Sequence, residues 1–195
     1  MKLDLNTLKL GIAKNLKNSQ ELIDEAEILF NNEKFARTYL LSHIAIEESS
    51  KCAILLKVVA FKVWNEEIHI KNVRKRYSNH KEKIKNFELL NLIIEKGTYD
   101  ESIFNQVIED TNNCKNDSLY VSWSNENNFT LPSEIFTKEK AEEKLHSALE
   151  YCKLFTSISI KLFQDENGIY EKLKESKTNE TIIEILKSET ERKRK

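Results

Sequence analysis

Three features of the 195-residue sequence predict an all-α fold. It holds only three Gly and one Pro, so residues that break helices are nearly absent. Apolar residues recur every three to four positions over long stretches, the period of a helix with one buried face. Hydrophobic residues make up 39% and charged residues 32%, enough for a core inside a charged shell and too apolar for a disordered chain. The length suits a single helical domain spanning 1–195. The expected architecture is a helical bundle built on a long antiparallel helix hairpin, with one ordered loop containing a short extended segment.

The elements follow in order. Over residues 5–31 the stripe is Leu5, Leu8, Ile12, Leu16, Ile23, Ala26 and Phe30, and Asn31-Asn32 breaks it. A second helix is expected over about 34–63, with Ala36, Leu40, Ile44, Leu55 and Val58 on one face. These two form the hairpin. Residues 65–96 predict a short helix, a turn near Ser78-Asn79 and a helix ending at Gly97, and 100–113 a further helical piece. The stretch Asn116 to Pro132 changes character. It is rich in Asn and Ser around Leu119-Tyr120-Val121-Ser122-Trp123 and reads as the ordered loop. Thr137, a favourable N-cap, opens a long helix carrying Leu145, Leu149, Cys152, Phe155, Ile158 and Leu162. A last short helix over about 179–191 leads to a basic tail, 192–195, expected to fray.

Composition narrows the function classes. The formal net charge is −1, so any polyanion site must come from local clustering. Cys52, Cys114 and Cys152 form no CxxC pair, which points to reduced thiols and gives no zinc signature. The most apolar stretch, Cys52 to Trp64, is interrupted by Lys57 and Lys62, and no signal core follows Met1. A cytoplasmic protein without a membrane segment is the expectation.

Three constellations can carry chemistry. On the second helix, His43, Glu47 and Lys51 lie one turn apart at the edge of the apolar stripe, with Glu48 beside them; on helix chemistry alone an ordinary Glu–Lys pair with a satisfied neighbouring histidine is the simpler explanation. The run Lys71 to Lys85 has seven Lys or Arg against one Glu, a local +6 that leaves −7 for the rest. Arg74, Lys75, Arg76, Lys81 and Lys83 suit phosphate, and His80 is the group in the run that titrates near neutrality; the alternative is a solvated face. The loop presents Leu119, Tyr120, Val121, Trp123 and Pro132, either as a partner surface or as a packed crossover.

These features, in this order, resemble the AbiV family of phage abortive-infection proteins over about residues 20–163. Ala45-Ile46-Glu47-Glu48-Ser49-Ser50-Lys51 matches its alanine–isoleucine–glutamate–glutamate–leucine–glycine–lysine element, His80-Lys81-Glu82-Lys83 its histidine–x–x–lysine element, and Leu119-Tyr120-Val121 with Pro132 its leucine–tyrosine–valine–aspartate element and downstream proline. Ser49-Ser50 in place of leucine–glycine is expected to loosen packing, and Ser122 replaces the aspartate. The family is similar in turn to the HEPN superfamily of helical bundles. They often dimerise and include many metal-independent ribonucleases with an arginine, four to six residues, then a histidine. Arg74-x5-His80 fits that spacing.

The resemblance implies a defence effector that shuts down translation, with RNA as substrate, a homodimer as its form, a phage-encoded activator and no cofactor or metal. RNA cleavage through the 2′-hydroxyl needs a base and a charge stabiliser. His80 would be the base or acid, Arg74 or Arg76 the phosphate clamp, Lys75, Lys81, Lys83 and Lys51 further phosphate contacts, and Glu47 an orienting group if folding brings it close. The alternative is a non-enzymatic helical binder that arrests translation or captures a phage protein through the Tyr120–Pro132 loop. A ferritin-like metal enzyme fits worst, because Glu66-x-x-His69 is an isolated Glu-x-x-His.

Overall fold

The structure, a computed structural model, describes residues 3–95, 100–125, 128–164 and 169–193. Within them the chain is all-α, with nine helices and one two-stranded antiparallel hairpin. Helix α1 (Leu5–Asn31) starts where the Asp4 carboxylate accepts the Thr7 amide at 2.7 Å, an N-cap that satisfies a free first-turn donor. Helix α2 (Phe35–Val63) returns antiparallel to it, and the pair is the most extensive in the molecule.

Helix α2 is the centre of the fold. It is buried nearly all round, from Ala36 and Tyr39 through Ala45, Ile46, Cys52 and Ile54 to Val58, Val59 and Ala60. A helix with such a surface needs neighbours on every side. They are α1, α7 (Lys138–Phe163), α4 (His80–Glu95) and, more lightly, α3 (Ile70–Ser78), α5 (Glu101–Asp117), α6 (Pro132–Ile135) and α8 (Ile169–Ser176). The main core lies between α1, α2 and α7, filled by Leu8, Ile12, Ile23, Cys52, Val59, Cys152, Phe155 and Ile158.

Small residues set the α1–α2 distance. A Cβ on Gly11 would come 3.1 Å from Leu55 Cδ1. Ser49 and Ser50 are fully buried, and the Ser19 hydroxyl donates to the Ala45 carbonyl (2.9 Å) and meets Ser49 Oγ at 2.8 Å. Of the two serines in place of leucine–glycine, Ser49 and Ser19 satisfy each other inside the α1–α2 contact, whereas Ser50 Oγ is buried without a hydrogen-bond partner.

The expected helices over 5–31 and 34–63, and the one after Thr137, are present, and Thr137 Oγ1 accepts the Lys140 amide at 3.4 Å. The turn at 78–79 is also found. There Asn79 Oδ1 accepts the Glu82 amide (3.2 Å), so α4 starts at His80. Gly97 lies outside the described residues. Three details differ from expectation. Helix α5 runs on to Asp117. The extended segment is a hairpin, β1 (Ser122–Asn125) on β2 (Asn128–Thr130), followed by the short α6. Helix α8 precedes α9 (Asn179–Lys193), which continues into the basic tail. Among the described residues no helix is long and apolar enough to cross a membrane.

Candidate functional site

One face of α2 carries Tyr39, His43 and Glu47 at successive turns, all buried. They lie inside the helix packing rather than at its edge. Helices α4 and α5 cover this face, and each brings a lysine on its own buried stripe. Lys83 stands four residues before Phe87 on α4; Lys115 stands seven after Ile108 and eleven after Phe104 on α5.

The result is a buried carboxylate surrounded by nitrogen. Glu47 is 3% exposed. Its Oε2 accepts from His80 Nδ1 at 2.6 Å and Lys83 Nζ at 2.8 Å, and its Oε1 from Lys115 Nζ at 3.1 Å. His43 Nε2 approaches Oε1 at 3.3 Å but off the line of a hydrogen bond, and neither of its ring nitrogens has a hydrogen-bond partner. Burial acts to raise the Glu47 pKa, but the contacts from His43, Lys83 and His80 more than reverse it, holding the group well below its ordinary 4.5. Glu47 is thus ionised.

An ionised carboxylate only accepts, so His80 carries its proton on Nδ1. The two lysines lie 3.4 Å from the same nitrogen; at 2.6 Å the carboxylate holds the bond, and the lysines act there as neighbouring charges. No hydrogen bond or ion pair of His80 Nε2 is found among the described residues, and the side chain is 61% exposed. The arrangement is a histidine fixed in one tautomer from behind, with its second nitrogen presented to solvent. Two lysines against one carboxylate leave one unit of positive charge beneath it. The first turn of α4, which begins at His80, adds its free amides.

Nearby, the half-buried Lys144 of α7 lies by the Tyr39 and Phe87 rings, 5.3 and 5.6 Å from their centroids. Burial pushes its pKa down. Burial also lowers that of His43, opposed by Glu47 and reinforced by Lys144 and Lys115, so His43 is neutral.

These shifts fix a pH dependence. An unfolded histidine takes up a proton below 6.5 and His43 does so only at lower pH, so its share of stability is full above 6.5 and is lost as pH falls. Glu47 adds a second loss below 4.5, because the unfolded chain protonates it first. Urea unfolding between pH 7.5 and 4 should show stability falling from about pH 6.5 by up to ~1.4 kcal/mol per pH unit for each group. His43→Asn should flatten the upper limb; a flat wild-type profile between pH 7.5 and 5.5 would exclude a neutral buried His43.

Of the residues expected from sequence, Glu47, His80 and Lys83 meet here. Lys51 does not pair with Glu47; its ammonium binds Glu48 at 2.5 Å and lies 5.0 Å from the Tyr77 ring centroid. Arg76 pairs with Glu82 (3.0 Å) and Lys81 with Glu109 (2.5 Å). Arg74 and Lys75 are exposed on α3 and make no ion pair among the described residues. Leu119, Tyr120, Val121 and Trp123 are exposed, and Pro132 opens α6. Lys115 and Lys144 were not expected, although Lys115 falls on the apolar spacing of Phe104 and Ile108. Among the described residues no group of three or more His, Cys, Asp or Glu side chains is placed to hold a metal ion.

No curated protein and no solved structure matches the chain. The AbiV family model of the HEPN group matches residues 7–153, from the third residue after the α1 cap to the second half of α7, and so spans every residue of the Glu47 cluster. With three quarters of its length matched in this way, the chain belongs to the AbiV family of abortive-infection, anti-phage defence proteins.

Proposed function

We propose that this protein, as a single helical domain, halts translation in the infected cell by cutting RNA without a metal ion, with His80 as the proton-transfer group. The observation that carries this reading is the Glu47–His80 pair: a buried, ionised carboxylate holds Nδ1–H at 2.6 Å and leaves Nε2 open to solvent. In the cleavage step Nε2 takes the proton of a ribose 2′-hydroxyl. That oxygen attacks the adjacent phosphorus, the P–O5′ bond breaks, and the 5′-oxygen leaves with a proton from the protonated imidazole or from water, giving a 2′,3′-cyclic phosphate and a 5′-hydroxyl. Negative charge grows on the phosphate during attack, and the excess positive charge under His80 is suited to stabilise it.

Lys83 is 5% exposed and committed to Glu47, so it supplies field and positioning. Direct phosphate contact falls to exposed cations of the basic run, Arg74 and Lys75 first. A homodimer would set two such sites on one RNA, and a phage-encoded activator is the natural means of keeping the centre quiet before infection. The test is incubation of purified protein with total RNA and EDTA, followed by analysis of the ends. Cyclic phosphate and 5′-hydroxyl products are expected, and intact RNA in the presence of phage lysate as well would abandon the nuclease reading. The second reading is a non-enzymatic binder that arrests translation or captures a phage protein. It is favoured by the exposed apolar loop and predicts saturable binding with no cut ends.

A further inference from the structure

Among the described residues, the hairpin carries the two most exposed large apolar side chains. Trp123 and Phe129 face each other across β1 and β2, stacked at 5.4 Å and 19°, yet 68% and 65% exposed. Tyr120, Val121 and Leu131 beside them are also exposed. Solvating so much aromatic surface is unfavourable, and an ordered patch of this kind marks a binding site. The patch is held in place: Arg37 Nη1 donates to the carbonyls of Ser118 and Leu119 (3.2 and 3.1 Å), Ser122 Oγ to Asp117 Oδ1 (2.6 Å), and the Leu131 amide to Glu134 (2.7 Å).

Its position and charge indicate the occupant. Lys115, which grips Glu47 beside His80, lies two residues before Asp117 on the same helix. Through the Ser122–Asp117 bond, the Trp123 backbone is tied to within about 18 Å of that of Lys115. Residues 116–137 contain no Lys or Arg, so the hairpin offers π faces and no cation for phosphate. The exposed cations without an ion pair among the described residues, Arg74 and Lys75, stand apart on α3, while Lys81, Lys83 and Lys115 pair with carboxylates. Aromatic faces on one element and free cations on another divide the work as unpaired nucleic acid requires, bases on one and phosphates on the other.

We infer that the Trp123–Phe129 hairpin is a stacking platform for unpaired bases, and that the RNA entering the His80 site is therefore single-stranded there. This rests on the RNA reading above and names its substrate class. A duplex has its bases stacked on each other and gives the hairpin nothing to hold.

Tryptophan fluorescence tests it, because Trp123 is exposed while Trp64, the second tryptophan, is 5% exposed. Full-length His80→Ala protein, expected to cut RNA at least about a hundredfold more slowly, is titrated with oligouridylate and oligoadenylate of about twelve nucleotides, and with the A–U duplex of equal length. Quenching by the single strands and not by the duplex is expected. In the fluorescence polarisation of an end-labelled strand, Trp123→Ala and Phe129→Ala should weaken single-strand binding roughly ten- to a hundredfold, with Trp123→Tyr retaining most of it. Equal quenching by duplex, or unchanged single-strand affinity in Trp123→Ala, would overturn the platform. So would a Trp123→Ala change confined to self-association in sedimentation, which would assign the face to a second copy. The nuclease reading is scored separately on wild-type protein. Stacking without cleavage keeps the platform and removes the nuclease; cleavage at the wild-type rate in Trp123→Ala does the reverse.

Discussion

Glu47→Ala is expected to destabilise the protein by about 3–5 kcal/mol, the usual cost of removing one partner from a buried ion pair. The substitution deletes the acceptor of three charged or polar donors at once. Lys83 is left with its ammonium in the protein interior, Lys115 loses its buried partner, and His80 loses its anchor. None of these has a charged replacement: His43, buried beside Glu47, is a neutral ring that can accept one hydrogen bond but cannot balance an ammonium. Urea unfolding at pH 7.5 measures the loss. Lys83→Met in the Glu47→Ala background should restore much of it, since an unpaired buried charge, not a missing attraction, makes the single variant unstable. A Glu47→Ala protein within 1 kcal/mol of wild type would mean that the cluster is solvated in solution and the carboxylate not committed to its lysines.

The same cluster explains why α2 has so polar a sequence for a central helix. His43, Glu47, Ser49 and Ser50 are all buried on it, and Glu47 and Ser49 face neighbours that carry matching groups. Ser49 meets Ser19 of α1 on one side, while Glu47 meets α4 and α5 on the other. The register of three helices on α2 is thereby tied to specific polar contacts, where an apolar stripe alone would allow sliding.

How much of this the sequence reveals varies with the range of the interaction. Helices α1, α2 and α7 are legible because each repeats its apolar spacing over at least seven turns, and a capping Asn79 makes the α3–α4 break visible. Helix α8 has eight residues, too few for periodicity to stand out, and β1 and β2 have four and three. For the site, spacing places Glu47 on a face and composition singles out His80, but nothing local says that they touch. Their separation is 33 residues, and the contact exists only because α4 crosses that face of α2. Lys115 looks like an ordinary surface lysine until Phe104 and Ile108 are seen to share its stripe. Arg74 illustrates the converse: its spacing to His80 suggests a pair, yet the turn at Ser78-Asn79 places the two on different helices, with Arg74 exposed and out of the cluster.

His80→Ala should lower RNA cleavage about 10²- to 10⁴-fold, the range for loss of a positioned acid or base. It should do so with little loss of stability. The side chain is 61% exposed, and without it Glu47 keeps both lysines. That separation of activity from folding distinguishes His80 from Glu47, whose removal disturbs both. Glu47→Gln is the intermediate case. An amide nitrogen turned toward Nδ1 donates where the carboxylate accepted, so the ring proton moves to Nε2 and the base is lost although the histidine remains. Turnover should fall with RNA affinity nearly unchanged, because the exposed cations that hold phosphate are untouched. Arg74→Ala should show the opposite split, weaker binding with turnover largely kept, if that side chain grips the backbone of the RNA. A folded His80→Ala protein that cuts RNA at the wild-type rate would place the proton transfer elsewhere. The Glu47 cluster would then be a device for holding three helices in register, with its exposed imidazole an incidental member.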